Sequence, residues 1–292
     1  MSDVLQGLAH LIKHSNFQLP SMRGTGGSTS TPTGKPFEIY CKDWLSLLPP
    51  NNIIQRQSFY NSAFAYQGSD NNPPDVMFKG GNNGDAFEFK KTESQAGSLL
   101  LNSSFPKNIL HTTSPGLLDS CINCEQWTQR NFYYIVGRIK PGNERISFLW
   151  VVDGELLATD HNVYESIFNN LKISVNTFIS TNNLQNIQSK ELGRFRGIDP
   201  SDKTVIRARS MWELESPQKT FRNLPGVETD TSKSVLHALI LESKWRNYPL
   251  QSQNAITTLS GVNGFSLSTI NNIPDPRNPN NLLTAKLIRF AL

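Results

Sequence analysis

The sequence predicts an α/β protein in which a central β-sheet is covered by helices, and three observations carry that expectation. Residues 75–90 read as a β-hairpin, and residues 132–140 and 145–152 are near-continuous apolar runs. Residues 3–16, 37–48 and 115–129 space their apolar side chains at helical intervals. Apolar runs of that kind belong to strands covered on both faces, and the helices supply the cover. With 292 residues the chain is long enough to bury a substantial core as one domain.

In chain order, Ser2 or Asp3 caps a first helix whose Val4, Leu5, Leu8, Leu11 and Ile12 form one apolar face. Residues 20–36 are rich in Gly, Ser and Thr, which bury little, and read as a flexible loop. Phe37, Tyr40, Cys41, Trp44, Leu45 and Leu48 line a second helix that Pro49-Pro50 ends. Residues 55–66 read as a strand or loop entering the hairpin, and the chain after Lys90 reads as irregular. Residues 99–107 run from leucines into Asn102, Ser103, Ser104 and Lys107, groups that either reach phosphate oxygens and base edges or make an ordinary turn.

The third helix, 115–129, carries Cys121 and Cys124 in a C-x-x-C. No second pair of ligands accompanies it, so its reading is helix packing rather than zinc or redox chemistry. Residues 132–140 and 145–152 complete the sheet, and residues 160–179 start helical with Val163, Ile167 and Leu171 in step. Residues 204–212 read as a strand with Arg207 and Arg209 on one face and Arg194 and Arg196 near in sequence. Arginine reads guanine through O6 and N7 with two parallel hydrogen bonds. Pairing with Asp199, Asp202, Glu213 or Glu215 is the equal alternative from pattern alone. Residues 233–245 read as another helix, 247–281 as a Pro/Asn-rich tail and 282–292 as a closing strand.

The formal net charge is +4, from 28 basic and 24 acidic residues, compatible with a polyanionic partner but too mild to indicate one. Three cysteines argue against a disulfide framework and for a reducing compartment. With no run of eighteen apolar residues and no basic-then-apolar N-terminus, the expectation is a soluble cytoplasmic protein with no membrane partner.

The hairpin holds the chemistry. The cluster Gly80-Gly81-Asn82-Asn83-Gly84 tolerates the positive φ of a reversal. On the returning strand Phe87 and Phe89 face a core, while Glu88 and Lys90 face the other way. Antiparallel pairing then brings Asp75 near Glu88 and Lys90. Two carboxylates with the Phe89 carbonyl between them offer hard oxygen ligands that suit Mg²⁺. The residues alone leave a second reading open, an exposed cross-strand ion-pair cluster.

Pro74-Asp75 followed after twelve residues by Glu88-Phe89-Lys90 resembles the Pro-Asp…(Asp/Glu)-x-Lys nuclease motif. The flanks, 71–77, 84–94 and 101–107, and more loosely 132–137 and 191–212, resemble type II restriction endonucleases of the NgoPII type. The resemblance is carried by residues 34–222. It implies a PD-(D/E)xK nuclease core, a mixed central β-sheet flanked by helices with N- and C-terminal elaborations. It further implies Mg²⁺-dependent hydrolysis of double-stranded DNA at a short palindrome, GGCC, by a homodimer with a companion DNA methyltransferase. Asp75, Glu88 and Lys90 would be catalytic, and Asp75, Glu88 and the Phe89 carbonyl metal ligands. Glu38 would approach the metal, or else simply complement its helix dipole. Lys90 would orient the attacking water more than deprotonate it, because neighbouring acids raise its pKa. Asn102, Ser103, Ser104, Lys107, Arg194, Arg196, Arg207 and Arg209 would contact DNA.

The expected organisation is one endonuclease domain over 1–292. It has a helix at 1–19, the flexible loop at 20–36, a catalytic core at 37–152, and a DNA-recognition and C-terminal elaboration at 153–292. Pro274-Asp275 and Glu242-Ser243-Lys244 repeat the motif's parts in reverse order and are expected to be structural. A DNA-binding protein without cleavage, or a repair nuclease of the same fold that reads DNA shape, are the competing functions.

Overall fold

A computed structural model describes residues 2–14, 16–20, 34–50, 52–68, 72–94, 97–230 and 232–292. Most of the expected loop at 20–36 lies outside the described residues; its last three residues, 34–36, are helical. In chain order the elements are α1 (Val4–His14), α2 (Gly34–Leu45), α3 (Arg56–Ala63), β1 (Phe64–Gln67), β2 (Val76–Phe78), β3 (Ala86–Thr92), β4 (Ser98–Asn102) and β5 (Ile109–His111). There follow α4 (Asp119–Ile122), β6 (Gln129–Ile139), β7 (Ile146–Asp153), α5 (His161–Thr181), β8 (Gln185–Asn186), β9 (Gly193–Arg196), β10 (Ile206–Ala208) and β11 (Trp212–Glu215). The chain ends with α6 (Pro217–Thr220), β12 (Val235–Leu241), α7 (Glu242–Asn247), α8 (Leu250–Thr257), β13 (Phe265–Asp275) and β14 (Asn278–Ala291).

Among the described residues the central sheet has nine strands in the order β1-β2-β3-β6-β7-β12-β14-β13, with β5 paired to β6. β3 runs parallel to β6 and β12 parallel to β7, while the other pairings are antiparallel, so the sheet is mixed. The expected α/β class and mixed central sheet are therefore present. Every residue of β7 and of β12 is buried, as their unbroken apolar runs require.

Alternation along the strands divides the core in two. Phe87, Phe89, Tyr133 and Ile135 face α1, α2 and α8, while Tyr134, Val136, Trp150 and Val152 pack with Leu99, Leu101, Trp127 and Phe221 on the opposite face. On the first face α2 sits directly on β6: a Cβ at Gly137 would lie 2.2 Å from the Phe37 ring. Asp3 caps α1 through an Oδ1 bond from the Gln6 N–H at 3.0 Å. Its other oxygen accepts from Ser252 Oγ at 2.5 Å, which ties α1 to α8.

Several elements depart from their sequence reading. α2 ends at Leu45, short of Pro49-Pro50, where Leu47 turns left-handed at φ 59°. Residues 56–63 are helical because Asp43 draws them onto α2, accepting from Arg56 at 2.8 and 3.0 Å and from Tyr60 Oη at 2.7 Å. β3 continues through Thr92 instead of ending at Lys90.

The helix expected at 115–129 shrinks to α4. Glu125 accepts the N–H groups of Gly80 and Gly81, and Asn82 Oδ1 accepts that of Thr128, so the hairpin's reversal holds residues 123–128 in a turn and bends instead of a helix. Residues 204–212 split between two ribbons, β10 beside β9 and β11 beside β4. Residues 235–241 form the buried strand β12, not a helix. The expected tail at 247–281 contains α8 and β13, and β13 with β12 and β14 makes three strands from the last part of the chain in the central sheet. No described helix is long and apolar enough to cross a membrane.

Candidate active site

The hairpin forms as its alternation requires, with Val76 opposite Phe87 and Met77 opposite Ala86. Asp75 stands where β2 begins. Its N–H donates to the Phe87 carbonyl at 2.9 Å, its carbonyl accepts from Gly68 N–H at 2.6 Å, and its Oδ2 accepts the N–H of Phe89 at 2.5 Å. Residue 68 must be glycine for this approach, since a Cβ there would sit 2.3 Å from the Pro74 carbonyl oxygen. N–H and C=O of one strand residue point to the same edge. The Phe89 carbonyl therefore faces the edge on which Asp75 lies.

Glu88 and Lys90 flank that contact on the next residues of β3, and Lys90 Nζ lies 2.7 Å from Glu88 Oε1. Glu88 is 8% exposed, and its Oε2 is buried and accepts no hydrogen bond from the described residues. Burial first, and the Glu88 charge second, push the Asp75 carboxyl well above the usual range, against the Phe89 N–H and Lys90. Burial works to lower Lys90, but the charge and hydrogen bond of Glu88, with Asp75, leave its amine raised. At neutral pH Lys90 is thus a firmly held ammonium, as the sequence reading of its role expects.

This donor set fits a hard divalent cation. An orphaned carboxylate oxygen and a second carboxylate destabilised by the first are what such an ion relieves. Among the described residues no group of three or more His, Cys, Asp or Glu side chains is placed to hold a metal. Glu38 on α2 adds its charge to Asp75 while bonded to Lys42 Nζ at 2.5 Å.

Lys107 is buried beside this cluster. Its Nζ donates to Ser104 Oγ at 2.6 Å and to the Phe105 carbonyl at 3.1 Å, and its backbone N–H donates to Tyr134 Oη at 2.7 Å. Tyr134 is in register with Glu88 on the neighbouring strand. Burial pulls the Lys107 amine down to about 8, with Glu88 opposing and Lys90 assisting. Ser103 is exposed, and Asn102 lies at the end of β4, opposite Trp212 of β11.

The arginines lie on a separate module. α5 packs against one face of the three-stranded sheet β10-β9-β8, with Phe178 and Phe195 at 6.2 Å between centroids. Arg194 pairs in register with Arg207, so Arg194, Arg196 and Arg207 alternate onto the face turned away from α5, and Arg209, just past the end of β10, meets Arg207 at Glu191. Their acidic partners differ from those weighed from sequence, apart from Asp202, which is 3.6 Å from Arg196. Arg207 and Arg209 share Glu191, at 2.5 and 2.7 Å from its Oε1. The sequence reading does not single out Glu191 or Tyr134; a glutamate three residues before the first of four arginines is the available sign for the first, and the second has none.

The remaining candidates are structural. Cys121 and Cys124 are free thiols, and burial pushes Cys121 up to about 12. Lys244 is buried against Asp153 at 2.6 Å and Glu155 at 3.0 Å, and Asp275 holds Arg277 at 2.9 Å.

A family model described as NgoPII restriction endonuclease matches residues 2–272, well beyond the stretch that carried the resemblance in sequence. The chain is 33% identical over 260 residues to the type II restriction enzyme NgoPII of Neisseria gonorrhoeae, covering 89% of each chain. No solved structure matches.

Proposed function

Because the chain belongs to the NgoPII restriction endonuclease family, we propose that it hydrolyses phosphodiester bonds of double-stranded DNA at GGCC, with Mg²⁺ as cofactor. Membership makes it a type II site-specific deoxyribonuclease. The observation that carries the site assignment is the junction of Asp75, Glu88 and Lys90 on one strand edge, with Asp75 Oδ2 on the Phe89 N–H and Lys90 on Glu88.

Asp75, Glu88 and the Phe89 carbonyl would hold Mg²⁺, with Glu38 near enough to add charge. Bound there, the ion would neutralise phosphate charge and make water a better nucleophile at neutral pH. Lys90, kept protonated by two acids, orients the attacking water and offsets the charge that develops on the phosphate. Lys107 adds a second, more weakly protonated amine beside Glu88 for a phosphate oxygen. Ser103, Ser104 and Asn102 lie on the same segment and serve the DNA backbone. Arg194, Arg196, Arg207 and Arg209 form the recognition face.

A palindrome is read by a two-fold dimer with one hairpin per strand cut, so the working unit is a homodimer. In the cell it acts in the cytoplasm beside a methyltransferase that protects the same sites. One domain spans the chain, with residues 153–230 as its recognition part. Plasmid DNA incubated with the protein in Mg²⁺ should give discrete fragments whose sequenced ends share GGCC, and none in EDTA. Random ends or nicks would remove the site-specific reading.

A further inference from the structure

Glu191 makes three hydrogen bonds to two arginines. Its Oε2 accepts from Arg207 Nε at 3.1 Å, and its Oε1 accepts from both Arg207 Nη2 at 2.5 Å and Arg209 Nε at 2.7 Å. Both guanidiniums are more than half exposed, whereas Glu191 is 16% exposed beneath them.

The pattern of used and unused donors matters. A guanidinium has five N–H groups in a rigid fork. Glu191 occupies the side edge of Arg207, formed by Nε and one Nη2 hydrogen, and the Nε of Arg209. Glu191 leaves the end edge of each, formed by Nη1 and Nη2, with donors it does not use. That end edge matches the O6/N7 pair of guanine.

Spacing gives a second argument. Side chains two residues apart on one strand face stand about 7 Å apart, and two guanidinium charges would spread further. Sharing one carboxylate oxygen holds the two bonded nitrogens within about 5 Å of each other, toward the rise of about 3.4 Å between stacked bases. The shared acceptor thus holds the two guanidiniums side by side.

We propose that Glu191 is a specificity-setting positioning residue: it clamps Arg207 and Arg209 side by side so that their free ends read two consecutive guanines. This rests on the reading of that face as the recognition surface. Hydrogen bonding from Arg207 lowers the Glu191 carboxyl and raises the arginine, so the clamp stays ionised through the physiological range. Glu191 also lowers the net positive charge of the face, which disfavours indiscriminate phosphate binding.

The test measures Kd for 20-base-pair duplexes carrying GGCC or GATC, with Ca²⁺ in place of Mg²⁺, for wild type, Glu191→Ala, Glu191→Gln, Arg207→Ala and Arg209→Ala. Thermal melting of each variant is recorded alongside. Glu191→Ala should lower the GGCC-to-GATC affinity ratio at least tenfold without weakening GATC binding or changing Tm by more than a few degrees. Glu191→Gln, which keeps one acceptor, should recover part of the ratio. The clamp is overturned if Glu191→Ala keeps the full ratio while the arginine variants lose it, or if it weakens both duplexes equally with a large fall in Tm. A wild type that does not distinguish the duplexes, or arginine variants that keep the ratio, would instead overturn the recognition face itself, and the clamp with it.

Discussion

Asp75 is anchored to the strand that carries the other two charged groups: its Oδ2 accepts the backbone N–H of Phe89 at 2.5 Å, between Glu88 and Lys90. A single side-chain-to-backbone bond therefore sets both the position of the acid and the end of β2 pairing. Asp75→Asn keeps an acceptor for that N–H, whereas Asp75→Ala leaves it unpaired. The alanine variant should be less stable than the asparagine variant by about 1–3 kcal/mol in urea unfolding. Both should lose cleavage, because both lose the carboxylate charge.

Lys107 should trade stability for function. Its amine, pulled down to about 8, lies below the usual lysine value near 10.4, so the native state binds fewer protons than the unfolded chain between those values. Stability then rises with pH across about 8 to 10. Lys107→Met should stabilise the protein at pH 7, on the order of 1–3 kcal/mol, with the gain shrinking toward pH 10, and should reduce cleavage. A melting series across pH checks the first part and a plasmid assay the second.

Asp85 gives the opposite dependence. It is buried beside Asp3 and accepts from Val4 N–H at 3.0 Å, Asn131 Nδ2 at 3.0 Å and Tyr248 Oη at 2.8 Å, yet burial still pushes it up to about 6. A carboxyl raised in the folded state favours folding most below its unfolded value, and that contribution is lost as pH rises through about 6. The loss is on the order of 3 kcal/mol. Asp85→Asn should flatten the stability curve between pH 4 and 6.5 relative to wild type.

The contact between Gly137 and Phe37 seats α2, and with it Glu38, on the sheet. Gly137→Ala would push a methyl into the Phe37 ring and should cost about 1–3 kcal/mol by urea unfolding. Activity should fall as well, since α2 brings charge to Asp75.

The hairpin was legible because three independent patterns agree there: alternation, a glycine-asparagine reversal and the acid-acid-lysine spacing. β6 and β7 were legible from their unbroken apolar runs. β12 was misread because seven buried residues in a row carry no period, and the polar helix α7 that follows lent them a helical look. The apolar run at 282–292 was legible as a strand, but β13 and the first residues of β14 were hidden by asparagines and prolines that are tolerated on solvent-facing positions and at the tip, where Arg277 ties Asp275 to Glu155. α3 and the shortened α4 are set by side-chain bonds from Asp43, Glu125 and Asn82, contacts that no local pattern encodes. In the site, Asp75, Glu88 and Lys90 came from their spacing on the hairpin together with the flanking resemblance. The depth of Lys107 and the sharing of Glu191 required the third dimension.

The central claim, that Glu88 and its neighbours form a metal-dependent cleavage site, is tested most directly with Glu88→Gln. That change keeps the side chain's shape and an acceptor for Lys90 while removing its charge. Wild type and variant would be compared on plasmid DNA in Mg²⁺, with a gel shift on the same DNA. The account predicts discrete fragments from wild type, at least a hundredfold slower cleavage by the variant, and an undiminished shift. Fragments appearing at the wild-type rate from Glu88→Gln would contradict it.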